Sequence, residues 1–193
     1  MSRVTVVGAG VVGLSCAVRL LEAGHSVSVV ARDLPLETTS AVAAALWYPY
    51  RAYPFERVTA WSATTYDALL RLASDEATGV VMRQGTEVLR EPAPSPWWAS
   101  AVPELRTLAD VPDGYAAGWR FEAPVLEMPI YLRWLVARIE ELGGTVTRMA
   151  LSALPDPAEV VVNAAGLGAR LFAGDGSVLP VRGQVLYVEQ VGL

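Results

Sequence analysis

Lysine is absent from this chain: all fifteen basic residues are arginine, set against twenty aspartates and glutamates. That excludes a Schiff base and a phosphate-loop lysine. A single histidine, His25, and a single cysteine, Cys16, cannot build a His/Cys metal cage, an intrachain disulfide or a histidine-based triad, so no metal is expected. Excess positive charge is missing as well. A net charge of -5 and a pI of 4.9 argue against a nucleic-acid groove or an anionic membrane surface as partner. No apolar run reaches the roughly 18 to 20 residues of a membrane span. The most apolar stretch, VTVVGAGVVGLSCAV, carries glycines at 8, 10 and 13 and is ended by Arg19 and Glu22, so neither a signal peptide nor a spanning helix is expected. A soluble cytoplasmic protein is the default expectation.

What is present is a chain of 193 residues, 53% apolar, enough to bury a substantial core. With histidine and lysine chemistry removed, catalysis falls to a bound cofactor or to carboxylates and tyrosines. No residue is singled out as catalytic.

The β-branched run RVTVV at 3–7 ends at Gly8 and suits a buried parallel strand. A helix is predicted over 11–23 with Gly24 as its stop, then a second strand, SVSVVA, at 26–31. Such a β-α-β unit has the length of a dinucleotide-binding half-domain. Helical spacing returns at 56–73, where Val58, Trp61, Leu69 and Leu72 are placed to share a face. GVVMRQGTEVLRE reads as two strands about a turn, the stretch 92–112 as a proline-punctuated covering loop or short helix, and RFEAPVLEM as a strand. Pro129 opens a helix carrying Tyr131, Leu135, Ile139 and Leu142, which stops at Gly143-Gly144. TVTRMAL, EVVVNAAG and QVLYVE are predicted strands. The expected fold is α/β: a Rossmann-like nucleotide domain in segments 1–40 and 127–187, interleaved with a mostly β substrate domain at 41–126 to which the chain begins to return at 188–193.

Gly8-Ala9-Gly10-Val11-Val12-Gly13 is a G-x-G-x-x-G sequence between a predicted strand and a predicted helix. The first glycine permits the tight turn, the second lets backbone approach a pyrophosphate, and the third lets helix pack on strand. The helix N-terminus then offers free N–H groups to the phosphates, so no lysine is needed. At the end of the second strand stand Arg32 and Asp33: the acid suits a ribose hydroxyl, and the arginine suits adenine or phosphate. The hydroxyls Thr38, Thr39 and Ser40 favour an enclosed FAD over NADP, the plainer alternative being a turn and helix cap. Cys16 is expected as a buried thiol and His25 as a solvent-facing residue after the first helix. Trp61, Trp97, Trp98, Trp119 and Trp134 are expected as core anchors, with Trp47 set apart by its place between an alanine run and two tyrosines. Glu140 and Glu141 beside Arg138 read as a solvated face.

VTVVGAGVVGLSCAVRLLEAGHSVSVVARDLP, TTSAVAAALWYPY, the IYLRWL helix, VVVNAAGLGA and LPVRGQVLYV together resemble the FAD-dependent D-amino-acid oxidases, actinobacterial members above all, across essentially the whole chain. The resemblance implies that residues 8–13 hold the FAD pyrophosphate and that Arg32 and Asp33 meet the adenosine. It further implies that Thr38, Thr39 and Ser40 bond phosphate or ribitol oxygens, and that Ala44, Ala45 and Leu46 line the isoalloxazine. Ala45 stands where the family often has glycine. Backbone at Ala150 and Leu151 would touch adenine, Ala165 would lie beside the cofactor, and Leu46, Tyr48 and Tyr50 would line the substrate pocket. The implied reaction passes the α-hydrogen of a D-amino acid as hydride to the flavin, with oxygen as the second substrate and hydrogen peroxide as a product. The family's substrate-clamping arginine and its glycine-rich C-terminal stretch have no counterpart here, so the chain reads as an N-terminal portion whose turnover is in question and whose exposed surface is compatible with a homodimer. Glycine, sarcosine or D-aspartate oxidation, and a non-catalytic nucleotide-binding piece, are the alternatives.

Overall fold

The computed structural model describes residues 1–155, 160–186, 188 and 189, and they form two compact units: 1–44 with 128 onward, and 45–127.

The first unit is built on a parallel sheet. Strand β1 (Arg3–Val7) leads through helix α1 (Val11–Glu22) to β2 (Ser26–Ala31), and the later strands β7 (Thr145–Arg148) and β8 (Val160–Asn163) complete the order β7-β2-β1-β8. Val4 pairs with both Val27 and Val160, and Val6, Val29 and Leu14 are buried, which is why the β-branched runs sit at the centre of the sheet. Helix α4 (Met128–Glu141) buries Met128, Tyr131, Leu132, Leu135 and Ile139 and packs against α1. Gly144, just past its end, has no room for a side chain: a Cβ there would stand 2.8 Å from both Ile139 Cγ2 and Leu21 Cδ1. Two one-turn helices, α2 (Thr39–Val42) and α5 (Ala169–Phe172), complete this unit.

The second unit is an antiparallel sheet with a helix. Strand β6 (Ala117–Leu126) is central, flanked along its whole length by β4 (Val80–Leu89) and on its other edge by β3 (Ala45–Leu46) and β5 (Leu105–Thr107). Helix α3 (Phe55–Leu72) buries Tyr66 and Leu69. Thr78, fully buried, ties the end of α3 to β4: its hydroxyl bonds the Leu72 and Asp75 carbonyls and accepts from Val80 N–H. Rings form the core. Trp98 lies 4.9 Å from Phe121, 5.4 Å from Tyr48 and 6.0 Å from Trp47 in edge-on arrangements, and Trp47 meets Tyr66 at 5.2 Å.

Several expectations are corrected. GVVMRQGTEVLRE does not break at Gly85: Val80 through Leu89 pair one to one with Leu126 through Ala117, and a ten-residue partner outweighs one glycine's preference for a turn. Of the predicted strand at 184–189, the described residues 184–186, 188 and 189 are not in a strand, and Tyr187 lies outside the described residues. Trp47, set apart from the core anchors, is 7% exposed, with its indole N–H donated to the Ser62 carbonyl at 3.0 Å, whereas Trp61 on α3 is 61% exposed because it lies off the buried Tyr66–Leu69 stripe. Trp97 and Trp134 are half-buried, as are Cys16 and His25. Glu141 pairs with Arg138 on an exposed face, as expected.

The ring cluster sets a stability contrast. Trp98→Ala should lower the free energy of unfolding by about 3 to 5 kcal/mol in urea titrations, and Trp61→Ala should change it by less than about 0.5 kcal/mol.

Candidate functional site

The parallel order β7-β2-β1-β8 makes the carboxyl end of β1 a switch point: the chain passes to β2 on one side, and β8 lies on the other. Open α/β sheets take their ligands outside the carboxyl ends of the strands at such a point. Here that edge gathers the 8–13 turn after β1, Arg32 and Asp33 after β2, Ala150 and Leu151 shortly after β7, and Ala165 after β8.

The turn is dictated by crowding. Gly8 has a φ of +115°, and a Cβ on it would lie 2.2 Å from the Ala164 carbonyl oxygen. A Cβ on Gly13 would lie 2.0 Å from the Gly8 oxygen. Both positions need glycine for the fold alone. Gly10 does not: its φ is -76°, and the nearest atom to a Cβ would be the movable Ser40 Oγ at 3.1 Å. At the N-terminus of α1 that Gly10 precedes, Val11 N–H donates to Ser40 Oγ at 3.1 Å, and Gly10 has no side chain to cap the other amides. The donors and the space fit a pyrophosphate held by backbone N–H groups. Ala9 is buried, and Val12 points out to solvent. Ala165 caps the turn after β8, its N–H reaching Asn163 Oδ1 at 3.4 Å.

At the end of β2 the Arg32 guanidinium grips the Asp33 carboxylate through Nε and a terminal nitrogen, the latter at 2.6 Å, and this bonding holds the Asp33 carboxyl below the usual carboxylate range. Thr38 donates to the Pro35 carbonyl at 2.7 Å, and Thr39, the first residue of α2, is exposed. A residue that sequence reasoning missed, Arg148, bonds Glu37 at 2.6 Å and the Arg32 carbonyl at 3.4 Å. Its place comes from the pairing of β2 with β7, in which Ala31 stands opposite Arg148, a contact between residues far apart in the chain.

Ala44 closes the first unit, while Ala45, Leu46, Tyr48 and Tyr50 belong to the second. Ala45 and Leu46 pair with Leu126 and Val125, and Leu46 is 55% exposed. The Tyr48 hydroxyl donates to Glu87, 2.7 Å from each carboxylate oxygen. Burial, and then this bond, raise its pKa far above the ordinary tyrosine value, so the phenol is a neutral donor already committed. The Tyr50 ring stacks on Tyr48 at 6.2 Å, and the Arg51 guanidinium lies over Tyr50 at 5.1 Å. Among the described residues no group of acids, histidines and cysteine could hold a metal ion, and no helix is long and apolar enough to cross a membrane.

The family model for FAD dependent oxidoreductases matches residues 3–193. A D-amino-acid oxidase of Rubrobacter xylanophilus is 50% identical over the whole of this chain and 61% of its own length, and one of Streptomyces coelicolor is 40% identical over 99% of this chain and 60% of its own. A human D-aspartate oxidase is 37% identical over 97% of this chain. Among solved structures, an L-amino acid deaminase from Proteus myxofaciens overlays with a TM-score of 0.70 at 17% identity, covering 93% of this chain and 49% of that one. A glycine oxidase from Bacillus cereus gives 0.66 at 16%, covering 90% and 58%. At such identities the overlays establish the fold. The chain thus spans about three fifths of the length of the curated relatives it matches.

The glycines are separable by experiment. Gly13→Ala should cost more than about 2 kcal/mol of stability, whereas Gly10→Ala should cost under about 1 kcal/mol yet weaken dinucleotide binding, as read by thermal melts and by quenching of flavin fluorescence. Equal losses of stability would mean that Gly10 also serves the fold. Tyr48→Phe should destabilise by about 1 to 3 kcal/mol at neutral pH. Because folding raises the phenol's pKa, that contribution is complete below the ordinary tyrosine range and declines as pH rises above it. The gap between wild type and variant should narrow in alkaline melts.

Proposed function

The chain belongs to the FAD-dependent oxidoreductase family, and from that premise we propose that it is the nucleotide-binding unit and part of the substrate unit of a D-amino-acid oxidase. The observation that carries the cofactor reading is Gly10, the glycine at the N-cap of α1, whose φ of -76° any residue adopts and whose Cβ would meet only the movable Ser40 hydroxyl. The identities of 50% and 40% to two D-amino-acid oxidases carry the choice of substrate class.

In this reading the α1 amides and Ser40 hold the pyrophosphate, Asp33 accepts from the ribose, and the backbone at Ala150 and Leu151 borders the adenine. Ala165 packs beside the glycine turn. Ala44, Ala45 and Leu46 border the flavin ring, where small side chains let backbone come close, and Leu46, Tyr48 and Tyr50 line the substrate pocket. When bound, FAD would supply the redox chemistry, a two-electron oxidation of a D-amino acid to its imino acid coupled to reduction of oxygen to hydrogen peroxide, the imino acid then hydrolysing to a 2-oxo acid and ammonia. The protein has little acid-base work to do. Tyr48, neutral and bonded to Glu87, shapes the pocket wall and does not take the substrate's proton. A neutral D-amino acid is the preferred substrate class. Glycine or sarcosine oxidation is the second reading, favoured by the fold shared with a glycine oxidase, and D-aspartate oxidation a third, favoured by the 37% identity to a D-aspartate oxidase.

The chain should turn yellow with FAD and retain the oxidised-flavin absorbance after gel filtration, with ADP competing for the site. Any peroxide production should follow D-alanine, exceed that with glycine or D-aspartate, and be absent with L-alanine. Retention of FAD without peroxide from any of these would leave the nucleotide-binding reading and remove the oxidase reading for this chain. Failure to bind FAD would remove both.

A further inference from the structure

The ends of β2 and β7 are joined by a side chain that the nucleotide reading does not use. Arg148 is the last residue of β7, and the next residue, Met149, donates its N–H to the Ala31 carbonyl at 2.8 Å, continuing the ladder to the edge where Ala150 and Leu151 begin. From there the guanidinium spans the turn that follows β2. One terminal nitrogen reaches the Arg32 carbonyl at 3.4 Å, and the other reaches Glu37 Oε1 at 2.6 Å. Glu37 is held at its other oxygen, which accepts from Leu34 N–H at 2.9 Å. The turn from Arg32 to Glu37 is therefore closed at its start by a carbonyl, at its end by a carboxylate, and across its middle by a backbone amide, with one arginine as the common tie. Asp33 lies inside this closed turn.

We propose, resting on the FAD reading, that Arg148 is a positioning residue for the adenosine half of the dinucleotide: it sets the shape of the 32–37 turn so that Asp33 and the backbone at Ala150 and Leu151 are presented together to the nucleoside. Arginine suits the task because its planar fork bonds two acceptors in different directions with one fixed charge, which a lysine ammonium does not do. The Arg148–Glu37 pair is about half exposed on both sides, so its worth to overall stability is small. Its effect belongs to the geometry of the turn. Glu37 is held ionised below the usual carboxylate range by the bond from Arg148 and then by the Leu34 amide, so the tie persists across the neutral range.

The test uses the purified chain and three probes: FAD, ADP, and FMN, which carries the flavin without the adenosine. Titration calorimetry should show Arg148→Ala weakening ADP and FAD by about fivefold while FMN binding and the melting temperature stay as in wild type. Glu37→Gln should weaken ADP in the same direction, and the double variant should be no weaker than the worse single one, since both remove a single tie. Wild-type affinity for ADP in Arg148→Ala, or an equal loss for FMN, would overturn the positioning role while leaving the FAD reading intact. A wild-type chain that binds neither FAD nor ADP would instead overturn the FAD reading, and this role with it.

Discussion

The first unit depends on one crowded crossing, where the end of β1, the start of α1 and the residues after β8 meet with no space for a side chain. A Cβ on Gly8 would strike the Ala164 carbonyl, and one on Gly13 would strike Gly8 itself. Because these atoms touch, α1 must leave β1 at one angle, and β8 must end beside it, with Ala164 N–H bonded to Val7 O at 2.8 Å. The same contact fixes the position of the first turn of α1, whose Val11 N–H donates to Ser40 Oγ. In the FAD reading, packing and ligand geometry would thus be one constraint, since what brings helix onto strand also sets where the donors stand.

The second unit obeys a different rule. Its strands β4 and β6 pair along ten residues each, so register is overdetermined and the pleat assigns every side chain to a face. Trp119, Phe121 and Glu87 fall on one face by that alternation, which brings Glu87 within reach of Tyr48 and lets Trp98 close the aromatic core. A carboxylate on an otherwise aromatic surface is costly unless it has a donor. The Tyr48 hydroxyl is that donor, and the two groups explain each other.

These two rules also account for what the sequence disclosed. Local, repetitive signals were legible: β-branched runs gave β1 and β2, and glycine punctuation gave both ends of α1 and the end of α4. The glycine turn was readable because three residues at fixed spacing carry its geometry. Non-local facts were not. Arg148 looked like any surface arginine until the pairing of β7 with β2 placed it opposite Ala31, and Gly85 looked like a turn until β6 supplied a partner long enough to run past it. Trp47 and Trp61 exchanged roles for the same reason. Trp61 sits near an apolar stripe that Tyr66 and Leu69 actually define, while the seat of Trp47 is made by Tyr66, Trp98 and the Ser62 carbonyl, none of them its neighbours in sequence.

The absence of lysine gains a physical meaning from this arrangement. At the edge where a dinucleotide would lie, Arg32 is matched by Asp33 and Arg148 by Glu37, so the nearby side-chain charges cancel in pairs. In the FAD reading, attraction for phosphate would then come from oriented backbone amides, which act at hydrogen-bond range and demand close approach, whereas a mobile ammonium attracts from a distance and tolerates a loose fit. Close approach requires a residue without a side chain at the point of contact. In the FAD reading Gly10 would be that residue, standing beside two glycines that the fold itself requires.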